Sequence, residues 1–205
     1  MRTVKTPQDR RAEFLDAARA LFEERGVDGT SVADIIGKVG VAKGTFYWHF
    51  KSKEALLDAL AEQHIDRFLE KIRPVLADTG RCAFEKLREV WAVHERERHA
   101  QTSLCQYFHR PENLLLHQKH RTLECRHLGP LLAGLIAQGT LEGSFATAHP
   151  DTAAEFLLLT LVAQPHPLFP LRHETPGQRC AGMREVLECV LGAAPGSLDF
   201  LLPGT

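Results

Sequence analysis

Apolar residues recur along most of the chain at the 3.6-residue spacing of a helix face, and the strict alternation of exposed strands is scarce. The pattern predicts an all-α fold. Phe14, Ala18, Leu21 and Phe22 line one face of a first helix, Gly26 is placed to stop it, and Asp28-Gly29 makes a turn. Ser31 reads as an N-cap with Asp34 three residues on, and Val32, Ile35, Ile36 and Val39 form the inner face of a short second helix that Gly40 ends. A third, very short helix is predicted over 42–48. Ser52 then caps a fourth, in which Leu56, Leu57, Leu60, Ile65, Phe68 and Ile72 share one side and Pro74 is expected to kink or end the helix.

Further on, Phe84, Leu87, Trp91 and His94 mark another amphipathic helix, and 114–135 reads as helix interrupted by Gly129-Pro130. The last two helices are 151–163, apolar almost all round, and a stripe of Met183, Val186, Leu187, Val190 and Leu191, with a proline-rich 165–176 between them. No repeat, heptad run or low-complexity tract appears. The natural division falls near residue 52, giving an N-terminal three-helix unit at 1–52 and a larger helical domain at 53–205.

The two short helices about Gly40 have the shape of a helix-turn-helix. In such a unit the second helix lays its exposed face into a major groove while its buried face fixes the angle. Val41 and Phe46 suit the inner side; Lys43, Thr45, Tyr47 and Trp48 offer donors and flat surface outward. Lys43 has the reach for guanine O6 or N7, and Gly44 beside it allows close backbone approach. Tyr47, His49, Lys51 and Lys53 can donate to phosphates, aided by the N-terminus of the Ser52-capped helix. The competing reading is that Phe46, Tyr47, Trp48 and Phe50 are only an aromatic core cluster, but a core has no need of the interleaved Lys43, Gly44, Thr45, His49, Lys51 and Lys53. The basic stretch from Arg2 to Arg11 reads as a solvated tail in preference to a minor-groove arm.

Bulk properties bound this reading. A chain of 205 residues with 44% apolar and 25% charged residues can bury a substantial core without staples. No apolar run is long enough to span a membrane and no secretory signal opens the chain, so a cytoplasmic location is expected. The net charge of −1 hides an asymmetry: residues 1–53 hold ten Lys/Arg against seven Asp/Glu, and the remainder holds 15 against 19. The basic end can therefore face phosphates while the rest keeps the protein soluble.

With the residues in place, a family resemblance emerges. Thr30-Ser31-Val32-Ala33-Asp34-Ile35-Ile36, Gly40-Val41-Ala42-Lys43-Gly44-Thr45-Phe46-Tyr47-Trp48-His49-Phe50 and Lys53-Glu54-Ala55-Leu56-Leu57 resemble the signature of the tetracycline-repressor (TetR) family across residues 10–57. The resemblance implies a homodimer on a palindromic double-stranded DNA operator, with a C-terminal domain that binds a small-molecule effector and then releases DNA. It also implies that Ser31, Lys43, Gly44, Thr45, Tyr47, Trp48, His49 and Lys53 occupy DNA-contacting positions. One departure is Ala42, where a serine cap is frequent in relatives.

Outside the motif the sequence offers candidates of a softer kind. Phe68, Trp91, Tyr107 and Phe108 are candidates to line an effector pocket, with His64 or His94 supplying polar contacts. The 156–162 apolar run and the 183–191 stripe predict a two-fold four-helix dimer interface. Six histidines between 94 and 127, with Cys105 and Cys125, raise a metal- or redox-responsive alternative. They match no recognised ligand spacing, so solvated or core histidines, free thiols, and neither metal nor cofactor are expected. An enzyme with His/Cys chemistry is the distant rival; GxSxG, P-loop, GxGxxG and HExxH motifs are all missing from the sequence.

Overall fold

A computed structural model of the chain describes residues 6–99, 103–108, 110–162 and 175–201. Among these residues the regular structure is helical throughout: α1 (Pro7–Arg25), α2 (Val32–Val39), α3 (Lys43–His49), α4 (Lys53–Ala77), α5 (Ala83–His99), α6 (Ser103–Phe108), a 3-10 turn (Pro111–Asn113), α7 (Leu114–Leu141), α8 (Pro150–Val162) and α9 (Pro176–Leu191). The proline-rich stretch expected between the last two helices lies, for 163–174, outside the described residues.

The chain forms two compact units, Met1–Asp66 with His99–Arg121 and Arg67–Arg98 with Thr122–Thr205. The motif boundary near residue 52 is thus not the boundary drawn by compactness: the first half of α4, all of α6 and the start of α7 pack with the head. α4 and α7 each contribute to both units.

In the first unit α1 packs on α2 and α6, and α2 on α3. The α1 core stripe is as expected and adds Leu15 and Ala17. Three of the entries are capped by side chains. Thr6 and Asp9 make a reciprocal capping box on α1, Ser31 and Asp34 make another on α2, and the Ser52 hydroxyl accepts from the Ala55 N–H at 3.2 Å. The buried Thr30 hydroxyl donates toward the carbonyls of Gly26 at 2.9 Å and Leu21 at 3.3 Å, tying the start of α2 to the end of α1. Gly26 and Gly40 close their helices with positive φ. Leu104 and Phe108 of α6 complete this core, and the Arg110 guanidinium pairs with Asp28 at 2.5 Å.

α3 is the exception among these caps. Its N-cap is Ala42, which makes no side-chain bond. A serine there supplies the missing acceptor, so Ala42→Ser is expected to stabilise the head by about 0.5–2 kcal/mol, read as a raised midpoint in denaturant melts. An unchanged midpoint would show that α3 is held by its packing alone.

The interruption expected in α7 is corrected, and of the kink or end expected at Pro74 the end is ruled out. α7 runs unbroken through Gly129-Pro130, and α4 continues past Pro74 to Ala77. A proline in a helix leaves the carbonyl four residues earlier without its partner. Here those positions, Arg126 and Glu70, are exposed, as are both prolines, so water can take the lost bond. The second unit buries Ile72, Leu87, Ile136, Leu157, Leu187 and Leu191 in its own core, and α8 packs on α9. α9 starts at Pro176 under a Thr175–Gln178 capping box, earlier than the apolar stripe alone predicts.

Candidate nucleic-acid interface

α3 is only seven residues long, and an isolated helix of that length does not persist in water. Its stability comes from one buried ring. Phe46 is fully buried and meets Phe14 of α1 edge-on at 5.3 Å, with Phe50 at 5.7 Å on its other side. Phe14 and Phe50 are themselves T-shaped at 6.2 Å, so the three rings form a closed aromatic cluster beneath α3. The Arg11 guanidinium covers the Phe50 ring at 5.3 Å.

What the cluster aims outward is the remaining face of the helix. Lys43 and Gly44 are exposed, Tyr47 is 40% exposed and Trp48 is 68% exposed. The Lys43 ammonium lies 5.8 Å from the centre of the Tyr47 ring one turn on, which leaves a cation and a phenol side by side. Thr45 is half-buried at the edge of the same face. His49 is half-buried as well, tilted against Phe14 at 5.8 Å and edge-on to Trp48 at 4.5 Å. Burial, then the nearby Arg11 and Arg10, hold its imidazole below the ordinary histidine range, so His49 is neutral at pH 7 and offers one N–H donor, not a charge.

Ser31 and Lys53 are engaged with the scaffold. The exposed Ser31 hydroxyl donates to the Asp34 carboxylate at 2.5 Å while accepting from the Asp34 N–H, and this hydroxyl, then the Ser31 backbone N–H at 2.8 Å, hold the Asp34 carboxyl below its usual range. The Lys53 ammonium donates to the Val27 carbonyl at 2.5 Å and stands 5.9 Å from the Phe22 ring. Lys51 is exposed.

The six residues expected at an effector pocket divide between the units. Phe68, Trp91 and His94 come together in the second unit, where with Leu87, Val90, Glu124, Leu128, Leu132, Leu158 and Leu201 they line a cleft of about 530 Å³ counted to its open mouth. The Trp91 and His94 rings stack at 5.0 Å, and Phe68 meets His94 edge-on at 6.3 Å. The other three belong to the first unit: Phe108 is buried in its core and stacks on His120 at 5.5 Å, His64 lies 5.9 Å from His120, and Tyr107 borders a separate, polar groove with Lys53, Asp58 and Lys119. Among the described residues no group of three or more His, Cys, Asp or Glu side chains gathers at ion-binding distance. His109 and the side chains of His99 and Cys105 lie outside the described residues. Cys82, Cys125, Cys180 and Cys189 are free thiols.

Comparison with known proteins agrees with this layout. The family model for bacterial regulatory proteins of the tetR family matches residues 14–60, which is the aromatic-anchored head from α1 into α4. The HTH-type transcriptional repressor KstR2 of Rhodococcus jostii is 30% identical over 140 residues, covering 66% of this chain and 68% of that protein. The chain belongs to the tetR family. Solved structures of this TetR-family fold superpose along almost the whole chain. RolR in complex with resorcinol matches at a TM-score of 0.69 and 20% identity, covering 97% of this chain and 95% of that one. FadR from Bacillus subtilis in complex with stearoyl-CoA matches at 0.62 and 24%, covering 89% and 98%. The TetR-family assignment makes this a DNA-binding transcriptional regulator with an all-α fold.

Gly44 separates what the TetR-family fold needs from what the interface needs. A Cβ built on it meets nothing within 4 Å, and its φ lies outside the positive range. Glycine in an exposed helix is about 1 kcal/mol worse than alanine, so the isolated fold gains nothing from it. Gly44→Ala is therefore expected to raise the melting temperature and, on the sequence expectation that Gly44 faces DNA, to lower operator affinity by adding a methyl to that face. Equal operator affinity would remove Gly44 from the interface.

Proposed function

We propose that the protein is a ligand-responsive repressor that binds a palindromic operator as a homodimer. The observation that carries this is the outward face of α3, where a cation, a glycine, a phenol and a two-thirds exposed indole stand on a helix anchored from beneath by Phe46. A monomeric globular fold gains nothing by exposing an indole, whereas a groove-facing helix needs flat surface and donors. In this reading Lys43, Gly44 and Thr45 read base edges. Tyr47, Trp48 and His49 anchor the backbone, Lys53 flanks them with the ammonium N–H groups left over from its bond to Val27, and Ser31, whose hydroxyl proton is given to Asp34, keeps its place at the edge of the surface as the α2 cap. The curated KstR2 relatives are repressors by name, which supports repression over activation.

The second unit is the sensor in this reading. Its cleft is walled by apolar and aromatic side chains with His94 and Glu124 among them, and the resorcinol and stearoyl-CoA complexes support effector binding in a fold of this kind. Phe68 of α4 and Glu124 of α7 both line the cleft on helices that also belong to the head unit. An effector that favours one arrangement of these helices shifts the population away from the DNA-bound conformer by its differential affinity.

The dimer surface comes from α8 and α9, on which Phe156, Leu159 and Val186 are exposed by 47%, 55% and 55%. Two heads on such a two-fold would meet half-sites roughly 34–36 Å apart or a multiple of that. No helix among the described residues is long and apolar enough to cross a membrane, and a chromosomal operator sets the site of action in the cytoplasm. Analytical ultracentrifugation is expected to give a dimer at micromolar concentration and, for Phe156→Glu, a monomer that still folds. A wild-type monomer would contradict the two-fold reading.

A further inference from the structure

The cleft in the second unit is lined by chemistry of one kind. Leu87, Val90, Leu128, Leu132 and Leu158 form apolar walls, and the stacked Trp91–His94 pair, edged by Phe68, forms a flat aromatic side. Among the described residues that line it, the charged or titratable side chains are His94 on α5 and Glu124 on α7, with neither lysine nor arginine. A ligand carboxylate or phosphate entering here gives up hydration, meets no cation among the described lining residues and stands in the same small space as the Glu124 carboxylate. A hydroxyl or amino group meets the opposite situation, because a carboxylate has about four lone-pair sites and can accept from a ligand as well as from a protein neighbour. The imidazole of His94 can donate to, or accept from, that same ligand group.

We propose that this cleft takes a flat one- or two-ring aromatic that carries a hydroxyl or amino donor and no acidic group, with Glu124 as the acceptor that sets the preference. The regulatory consequence rests on the reading of the cleft as the effector site; the binding preference itself does not. The ring lies against Trp91 and His94, where stacking rewards a planar π-face, and the donor turns to α7. Glu124 thereby becomes the specificity-determining residue, and anionic acyl ligands are excluded.

A matched pair of probes tests this on the full-length protein: 2-naphthol and 2-naphthoate, which share one ring skeleton and differ in a neutral donor against an anion. At neutral pH an aromatic hydroxyl keeps its proton and a carboxylic acid is ionised. Calorimetric titration is expected to show 2-naphthol binding, with 2-naphthoate weaker on the order of tenfold or more. Glu124→Gln, which keeps the shape and removes the charge, should close most of that gap by strengthening 2-naphthoate, and Leu128→Trp, which fills the cleft, should abolish 2-naphthol binding. Equal or tighter binding of 2-naphthoate to the wild type, binding of neither probe, or an unchanged ratio in Glu124→Gln would overturn the proposal, and the first two need no variant. Operator release is measured separately with 2-naphthol. Selective binding with release supports both readings, while selective binding without release leaves the cleft's preference standing and contradicts its role as the effector site.

Discussion

Phe46→Ala is expected to destabilise the head by about 3–5 kcal/mol and to abolish operator binding under conditions where the wild type is saturated. Phe46 is completely buried, touches Phe14 and Phe50 edge-on or tilted, and is the buried residue of α3. Removing the ring takes away the transfer free energy of a large side chain and leaves a cavity between three elements. A seven-residue helix then has no packing to offset its nucleation cost, and its N-cap offers no compensating bond. Chemical denaturation measures the loss in the head. Phe46→Leu keeps most of the volume and should retain measurable DNA binding at reduced stability. A fall of less than about 1 kcal/mol for Phe46→Ala would mean that α3 is held by something other than the aromatic cluster.

The second large effect separates anchors from readers. Tyr47→Ala is expected to weaken binding to every DNA sequence alike, by about 1–3 kcal/mol, roughly 5- to 150-fold, because a phosphate anchor carries no sequence information. Tyr47 is 40% exposed on the outward face of α3, so its loss removes a hydroxyl donor from that face. Lys43→Ala is expected to cost a similar amount on the operator but much less on unrelated DNA, which relaxes specificity. Parallel gel-shift titrations on operator and scrambled duplexes distinguish the two. Identical profiles for both variants would remove the division between reader and anchor.

The head was legible in the sequence because its constraints are local. Ser31 with Asp34, Gly40, and the i, i+4 spacing of Phe14, Ala18 and Phe22 each announce a cap, a stop or a face within a single helix, and the structure contains all of them. The ring cluster was also readable, since Phe46 and Phe50 had to point opposite to Lys43 and Tyr47. The sensor was legible only in part. Phe68, Trp91 and His94 share a cleft, yet Glu124, Leu128 and Leu158 join them from helices 30 to 90 residues away, and no spacing rule links such positions. Tyr107, Phe108 and His64 carry the same residue chemistry as the cleft residues, but α6 places the first two in the head unit and the first half of α4 places His64 there. The interruption expected at Pro130 was misjudged for a different reason. The penalty of a proline depends on whether water reaches the orphaned carbonyl, and exposure is a tertiary property.

The central claim is that α2 and α3 present a DNA-reading surface, and binding to the duplex upstream of the protein's own gene, titrated across salt beside a scrambled duplex of equal length, tests it most directly. Phosphate contacts release counterions, so affinity should fall linearly on logarithmic axes as salt rises, with the operator retaining an advantage of roughly 10³-fold or more over the scrambled duplex. Affinity that does not change with salt, or that is the same for both duplexes, would contradict the account.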